Sequence, residues 1–254
     1  MKRHITIFIV LFLVIALPFD AQSQQRLTFV TVDNFPPYAW RVGEEVSGID
    51  VDIIRALSQR TGIPIKIELM PAKRLILMTQ NGEADAAFAA FKTPERETFA
   101  HFIDTPLHYS TYQVFVRKGD EFSFKGIGDL EGKIIGKNRG FYINEEFSQA
   151  QVQKRIQVIE VSKMDQNINM LVRSRLDAFI GNTLEVAYIL KKLDLSDTVV
   201  ALPLPVLTPK GAHLMISKAA KIENKNEIIR RLNETLHDMK QDGSLDAIYA
   251  EYSN

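Results

Sequence analysis

The chain contains no cysteine. That excludes disulfides, thiolate metal sites, cysteine nucleophiles and a lipid-modified N-terminal cysteine. Neither sign of charge is in excess: Lys and Arg together number 31, Asp and Glu together number 31, and the formal net charge is zero. No electrostatic argument therefore favours nucleic acid or an anionic membrane surface as a partner. No G-x-S-x-G, H-E-x-x-H, phosphate-binding or dinucleotide fingerprint occurs. The five histidines show no metal-ligand spacing, so neither a metal nor a cofactor is expected. Low-complexity tracts are absent, and past the N-terminus no apolar run is long enough to span a bilayer.

What is present begins with a leader. Met1-Lys2-Arg3-His4 is basic, and Ile5 to Leu17 is apolar except for Thr6. Pro18 ends the run, and Ala21-Gln22-Ser23 puts small residues where a signal peptidase reads. Residues 1–23 are expected to be a secretory signal, cleaved after Ser23 or, as the alternative, after Ala21. The mature protein is then expected to be soluble and periplasmic, with a fold that needs no disulfide staples.

Strands and helices then alternate. Leu27–Val32 reads as a strand, and "DNFPPYAW" (Asp33 to Trp40) as a rigid aromatic loop. Gly48 to Thr61 has a helical apolar stripe that Gly62 is placed to stop. Ile63–Leu69 alternates again, Pro71–Gln80 is a second helix, and "NGEADAAFAAF" is a turn and a buried strand. Thr93 and Pro94 suit the start of a third helix. Leu202–Pro209 holds three prolines, and the strand "GAHLMISK" follows it. Asn226–Gln241 reads as an amphipathic helix with Ile228, Ile229, Leu232, Leu236 and Met239 inward.

One unit recurs. "PAKRLILMTQNGEADAAFAA" and "MDQNINMLVRSRLDAFIGN" share an apolar-periodic helix, a polar turn, Asp-Ala and a short apolar strand. The pattern predicts two α/β lobes built alike on parallel-rich sheets. Ligands of such sheets sit outside the carboxyl ends of the strands. The repeated strands end at Ala90-Phe91 and Gly181-Asn182. Arg96 lies in the first turn of the helix after Phe91, where the helix dipole disfavours a cation. Two explanations stay open: an anion bound there, or a surface ion pair with Glu95 or Glu97.

Seven stretches in order, "VTVDNFPPYAW", "SGIDVDIIRALSQRTG", "NGEADAA", "KTPERETFAHFIDTPL", "DLEGKIIGKNRG", "RLDAFIGN" and "LNETLHDMKQDGSLDAIYAEY", resemble the bacterial family-3 extracellular solute-binding proteins. The resemblance implies an α/β, two-lobed periplasmic-binding-protein-like fold (type II) whose chain crosses between lobes twice. Lobe 1 would be residues 24–105 plus 211–254 and lobe 2 residues 111–205, with hinges at 106–110 and 206–210. It implies a binding protein and not an enzyme, monomeric, holding a small carboxylate-bearing ligand in the interlobe cleft. The partner would be an inner-membrane permease of an ABC transporter, or a sensor. By the same resemblance Arg96 grips the ligand carboxylate and Phe35 stacks on the ligand. Arg74 and Arg139 are either further anion contacts or ordinary salt-bridge partners.

Three departures matter. Phe91 stands where the family's amino-acid binders have Ser or Thr, and Phe141 where they have Thr after the glycine that opens a lobe-2 helix. Asn182 replaces the Asp that holds an α-ammonium. An unpaired buried cation is costly, so the expected ligand is an amino-acid-like compound or an organic acid, not an ordinary zwitterionic amino acid. A minority alternative on this fold is a periplasmic cyclohexadienyl-type dehydratase, for which Glu185 is the candidate proton donor.

Overall fold

The computed structural model describes residues 25–252; the expected signal segment lies outside them. In chain order the first elements are β1 (Leu27–Val32), β2 (Trp40–Val42), β3 (Glu45–Ser47), α1 (Ile49–Thr61), β4 (Ile65–Met70) and α2 (Ala72–Asn81). They lead into β5 (Ala86–Phe91), α3 (Pro94–Phe99), β6 (Ala100–Phe102) and β7 (His108–Arg117). After a 3-10 turn come β8 (Ile134–Asn138), α4 (Glu145–Val152), β9 (Gln157–Val161), α5 (Met164–Val172), β10 (Ala178–Asn182) and α6 (Thr183–Leu193). The long β11 (Val199–Ser217) returns the chain to α7 (Lys225–Gln241) and α8 (Ser244–Tyr252). No helix among the described residues is long and apolar enough to cross a membrane.

Nine strands form one sheet: eight in the order β4-β1-β5-β11-β7-β10-β8-β9, and β6, off that path, on β11. The two halves of this path are joined only through β7 and β11, antiparallel partners from Val199↔Arg117 to Ala212↔His108. The carboxyl end of β11 pairs with β5 and β6, while Tyr112–Phe115 of β7 pair with β10. The result is two lobes, each with its own core. Phe29, Ile53, Phe88, Leu214 and Leu236 fill one; Val114, Ile135, Phe147, Phe179 and Ile180 belong to the other.

The repeated Asp-Ala has a shared structural job. Asp85 Oδ2 accepts from Thr28 N at 2.8 Å, and Asp85 N donates to Thr28 O at 3.0 Å. Asp177 makes the same pair with Ile134, at 2.7 and 3.0 Å. In each lobe the aspartate clasps the start of its strand to the neighbouring parallel strand, satisfying main-chain groups at the edge of the ladder.

Two features differ from the pattern-based reading. Leu202–Pro209 is not a connection before a strand; it lies inside β11. Proline has no N–H to give the ladder, and the pairing with β7 shifts register between Ala201 and Pro205, Pro205 and Leu207, and Leu207 and Lys210. The second is a bulge in β5. Ala87 pairs with Met215 and Ala90 with His213, so Phe88 and Ala89 together face one residue, and Ala89 takes φ 60°. A bulge of this kind re-aims the strand beyond it, here the segment that carries Phe91.

Candidate functional site

β5 ends at Phe91 and β10 at Asn182, and rings from the two lobes meet, Phe91 with Tyr112 and Phe35 with Phe141. After β5, Thr93 caps α3, its Oγ1 accepting from Arg96 N at 3.3 Å. Arg96 folds back so that Nη1 donates to Phe91 O at 2.8 Å. Glu97 pairs with Lys92 instead, at 3.2 Å, and no carboxylate forms an ion pair with Arg96 among the described residues. Burial pulls the Arg96 pKa down and the charge of Glu95 opposes that. Arg96 is thus a half-buried guanidinium with one prong on Phe91 O, no ion pair among the described residues, and the charge of Glu95 acting on it.

The aromatic residues converge from both lobes. Phe35 stacks on Tyr38 at 4.8 Å between ring centroids, and Tyr38 stacks on His108 at 4.0 Å. From the other lobe Phe141 tilts against Phe35 at 5.6 Å and against Tyr112 at 6.4 Å. Phe91 meets Tyr112 edge-on at 6.2 Å. Both phenylalanines that depart from the family pattern therefore turn into the gap, and the lobes are shut on each other around them. The main chain of Phe141 is held by Lys137, which is 7% exposed; its Nζ donates to Phe141 O at 3.2 Å and pairs with Glu160 at 2.7 Å.

Asn182 ends β10 and caps α6. Its Oδ1 accepts from both Leu184 N and Glu185 N at 3.0 Å. That fixes the amide: the oxygen faces the helix, and Nδ2, a buried donor, faces away on the side of the Tyr38 hydroxyl, whose pKa it helps to lower, without a hydrogen bond of ordinary geometry among the described residues. The preceding Gly181 is required by close packing, since a Cβ there would lie 2.7 Å from Val186 Cγ2. One turn into α6, Glu185 is 1% exposed, and its Oε1 has no partner either. Burial, reinforced by the charge of Asp165, pushes its pKa well above the ordinary carboxylate value.

Behind Tyr38 runs a buried polar chain. His108 Nδ1 is 2.7 Å from Asp50 Oδ1, and His108 Nε2 is 2.9 Å from Ser110 Oγ. Burial pushes the Tyr38 hydroxyl pKa up, and the charge of Asp50 adds to it. His108 is a satisfied core histidine, and among the described residues no cluster of three side chains could hold a metal.

Of the residues singled out from the sequence, Phe35, Phe91, Phe141 and Asn182 are buried or half-buried in the gap, and Arg96 adjoins it through Phe91. Arg74 and Arg139 are not drawn in. Both are exposed; Arg74 has no ion pair among the described residues, and Arg139 Nη2 reaches only Glu160 O at 3.5 Å. The neighbour of the lobe-2 loop on α2 is Lys73, whose Cγ would be 3.5 Å from a Cβ at Gly140. Sequence reasoning passed over Tyr112 and Lys137. The signal for Tyr112 was present: His108, Ser110, Tyr112, Val114 and Val116 alternate, and all five are buried.

Comparison with known proteins bears on the fold and the family. The arginine-binding extracellular protein ArtP of Bacillus subtilis (strain 168) is 21% identical over 228 residues, covering 89% of this chain and 85% of its own. An ancestral arginine-binding protein bound to arginine superposes with a TM-score of 0.76 at 21% identity, over 90% of this chain and 98% of that one. A histidine kinase sensor domain with similarity to periplasmic binding proteins gives 0.77 at 17% identity, over 91% and 97%. Residues 27–254 match one family along their whole length. The chain belongs to the bacterial extracellular solute-binding proteins, family 3.

Proposed function

We propose that the protein captures a small carboxylate-bearing ligand, other than an ordinary zwitterionic amino acid, in the cleft between its lobes, and delivers it to the permease of an ABC transporter. The observation that carries this reading is Arg96: a half-buried guanidinium in the first turn of α3, with one donor on Phe91 O and no ion-paired carboxylate among the described residues. Such a fork matches a carboxylate in two-pronged geometry. The aromatic walls suit an organic acid with an apolar body. Two of the named relatives are arginine-binding, yet here Asn182 presents an amide donor where an ammonium would need an acceptor.

In this reading residues 1–23 export the chain to the periplasm, where it works as a monomer. Lobe 2 (111–205) swings on lobe 1 (24–105 and 211–254) by bending at 106–110 and 206–210, where the β7–β11 register is already irregular. The ligand favours the shut form by its differential affinity for it. Delivery to a membrane sensor would use the same cleft.

Asn182→Asp tests the ligand class. A pair differing only in the α-ammonium, phenylalanine and 3-phenylpropionate, is titrated calorimetrically. Wild type is expected to prefer the unsubstituted acid, and the variant to move at least about tenfold toward the amino acid, since a buried ammonium gains a partner. An unmoved preference counts against the role given to Asn182.

A second reading rests on Glu185. A buried carboxyl that holds its proton is what a dehydratase of cyclohexadienyl acids needs as a general acid. Product formation that stops in Glu185→Gln would establish it; no turnover in wild type would dismiss it.

A further inference from the structure

Among the described residues five buried side-chain atoms lack a hydrogen-bond partner: Asp50 Oδ2 in lobe 1, and Asp165 Oδ1, Asn167 Oδ1, Asn182 Nδ2 and Glu185 Oε1 in lobe 2. Asn182 Nδ2 and Glu185 Oε1 lie one helical turn apart, at the lobe-2 end of the cleft, and both residues are buried to 1% exposure or less. Glu185 also lines a small cavity with Tyr112, Phe141, Met164 and Lys137. A buried polar atom in a native protein calls for an explanation, and two in the wall of a ligand cleft point to a ligand group.

The polarity of that group can be argued atom by atom. Asn182 contributes a donor, because its oxygen is committed to two backbone N–H groups. The groups that face Glu185 are Asp165 from α5, Lys137 from β8, Tyr112 from β7 and Tyr38 from the loop after β1. Lys137 is already paired with Glu160 and with a main-chain oxygen. Burial and the negative charge of Asp165 both favour the protonated carboxyl, which carries an O–H to donate. Lobe 2 thus presents two donors to the cleft.

We propose that Glu185 and Asn182 together form a hydrogen-bond-donating subsite that takes an oxygen acceptor, the keto or hydroxyl oxygen of a 2-oxo or 2-hydroxy carboxylate. The inference rests on the clamp reading of Arg96 and deepens it: Arg96 holds the carboxylate, and the 2-oxygen sits where the relatives' α-ammonium would be. Glu185 acts here as a specificity-determining ligand contact. Binding is also tied to a proton: the ligand selects the protonated form, so affinity falls as pH rises through the Glu185 pKa.

The test titrates 2-oxo, 2-hydroxy, 2-amino and unsubstituted carboxylates of matched aromatic and aliphatic side chains, from pH 6 upward, against wild type, Glu185→Gln and Glu185→Ala. The 2-oxygen acids are expected to bind at least about tenfold tighter than the unsubstituted ones, with affinity declining as pH rises. Glu185→Gln, which keeps a donor of the same shape, is expected to retain the preference within about threefold and lose the pH dependence. Glu185→Ala is expected to lose the preference. Tightest binding of the 2-amino acid with affinity rising with pH, or an unchanged preference in Glu185→Ala, overturns the inference while leaving Arg96 standing. Carboxylates that bind equally well to Arg96→Ala, or none that bind at all, overturn the clamp and this subsite with it.

Discussion

Arg96→Ala is expected to weaken binding of the carboxylate ligand at least about a hundredfold, near 2.7 kcal/mol, with a small change in stability. The two effects separate because the side chain does two unequal jobs. Its structural contact is one hydrogen bond to Phe91 O, worth about 1 kcal/mol. Its other donors have no protein partner among the described residues, so the fold loses little when they go. A carboxylate left in the cleft without the guanidinium loses a charge-assisted pair in a drier, aromatic setting, where such a pair counts for more than in water. Arg96→Lys is expected to fall between, since it keeps the charge but not the planar fork. Calorimetric titration checks the affinities and urea unfolding the stability. Binding within threefold of wild type in Arg96→Ala would remove the clamp.

Gly48→Ala is expected to destabilise the protein by at least about 3 kcal/mol and to damage binding as well. Gly48 precedes α1 at φ 134°, ψ 164°, a region essentially confined to glycine. A Cβ there would lie 2.2 Å from Tyr38 O and 2.5 Å from Tyr38 C, both main-chain atoms that cannot swing aside. Tyr38 O also accepts from Asp50 N at 3.1 Å, and Pro37 O accepts from Ile49 N at 2.9 Å. The aromatic loop is therefore stitched to the start of α1 at the one place a side chain cannot enter. Pushing it off moves Tyr38, and with it Phe35 and the chain Asp50–His108–Ser110. At this chain length the expected loss lowers the melting temperature by roughly 6–12 °C. A drop under 2 °C would mean that the loop re-docks freely.

How much of this was legible in the sequence depends on the range of the forces involved. α1 with Gly62 after it, α3 with Thr93 and Pro94, and the repeated Asp-Ala unit are local patterns, and the chain forms them where the pattern places them. The interior of β11 was not legible, because three prolines read as a break, whereas β7 holds the segment extended by skipping pairs. The β5 bulge was not legible either: φ 60° at Ala89 depends on the strand opposite. At the site, the identities of Phe91, Phe141 and Asn182 were plain, but their orientation was a tertiary matter. Glu185 on a helix reads by default as solvent-facing, and only packing of α6 against α5 and β7 buries it. Arg74 shows the converse: its position in the first turn of α2 suggests the cleft, yet it stays in solvent.

Closure links these parts. Phe141 packs against the cores of both lobes, and Trp40 of the β2–β3 ribbon lies 5.7 Å from Tyr188 of α6. The shut form therefore buries apolar surface of its own, and a ligand needs to add only the difference between the open and shut forms.

The most direct test of the anion clamp is a thermal-shift screen of the protein against amino acids, aromatic and aliphatic carboxylates, sugars and polyamines, each repeated on Arg96→Ala. A ligand at about a hundred times its Kd adds about 2.7 kcal/mol, a rise of roughly 5–10 °C at this size. The account predicts such a rise with a carboxylate that lacks an α-ammonium, and its disappearance in Arg96→Ala. A comparable rise with an ordinary amino acid, retained in Arg96→Ala, would contradict it.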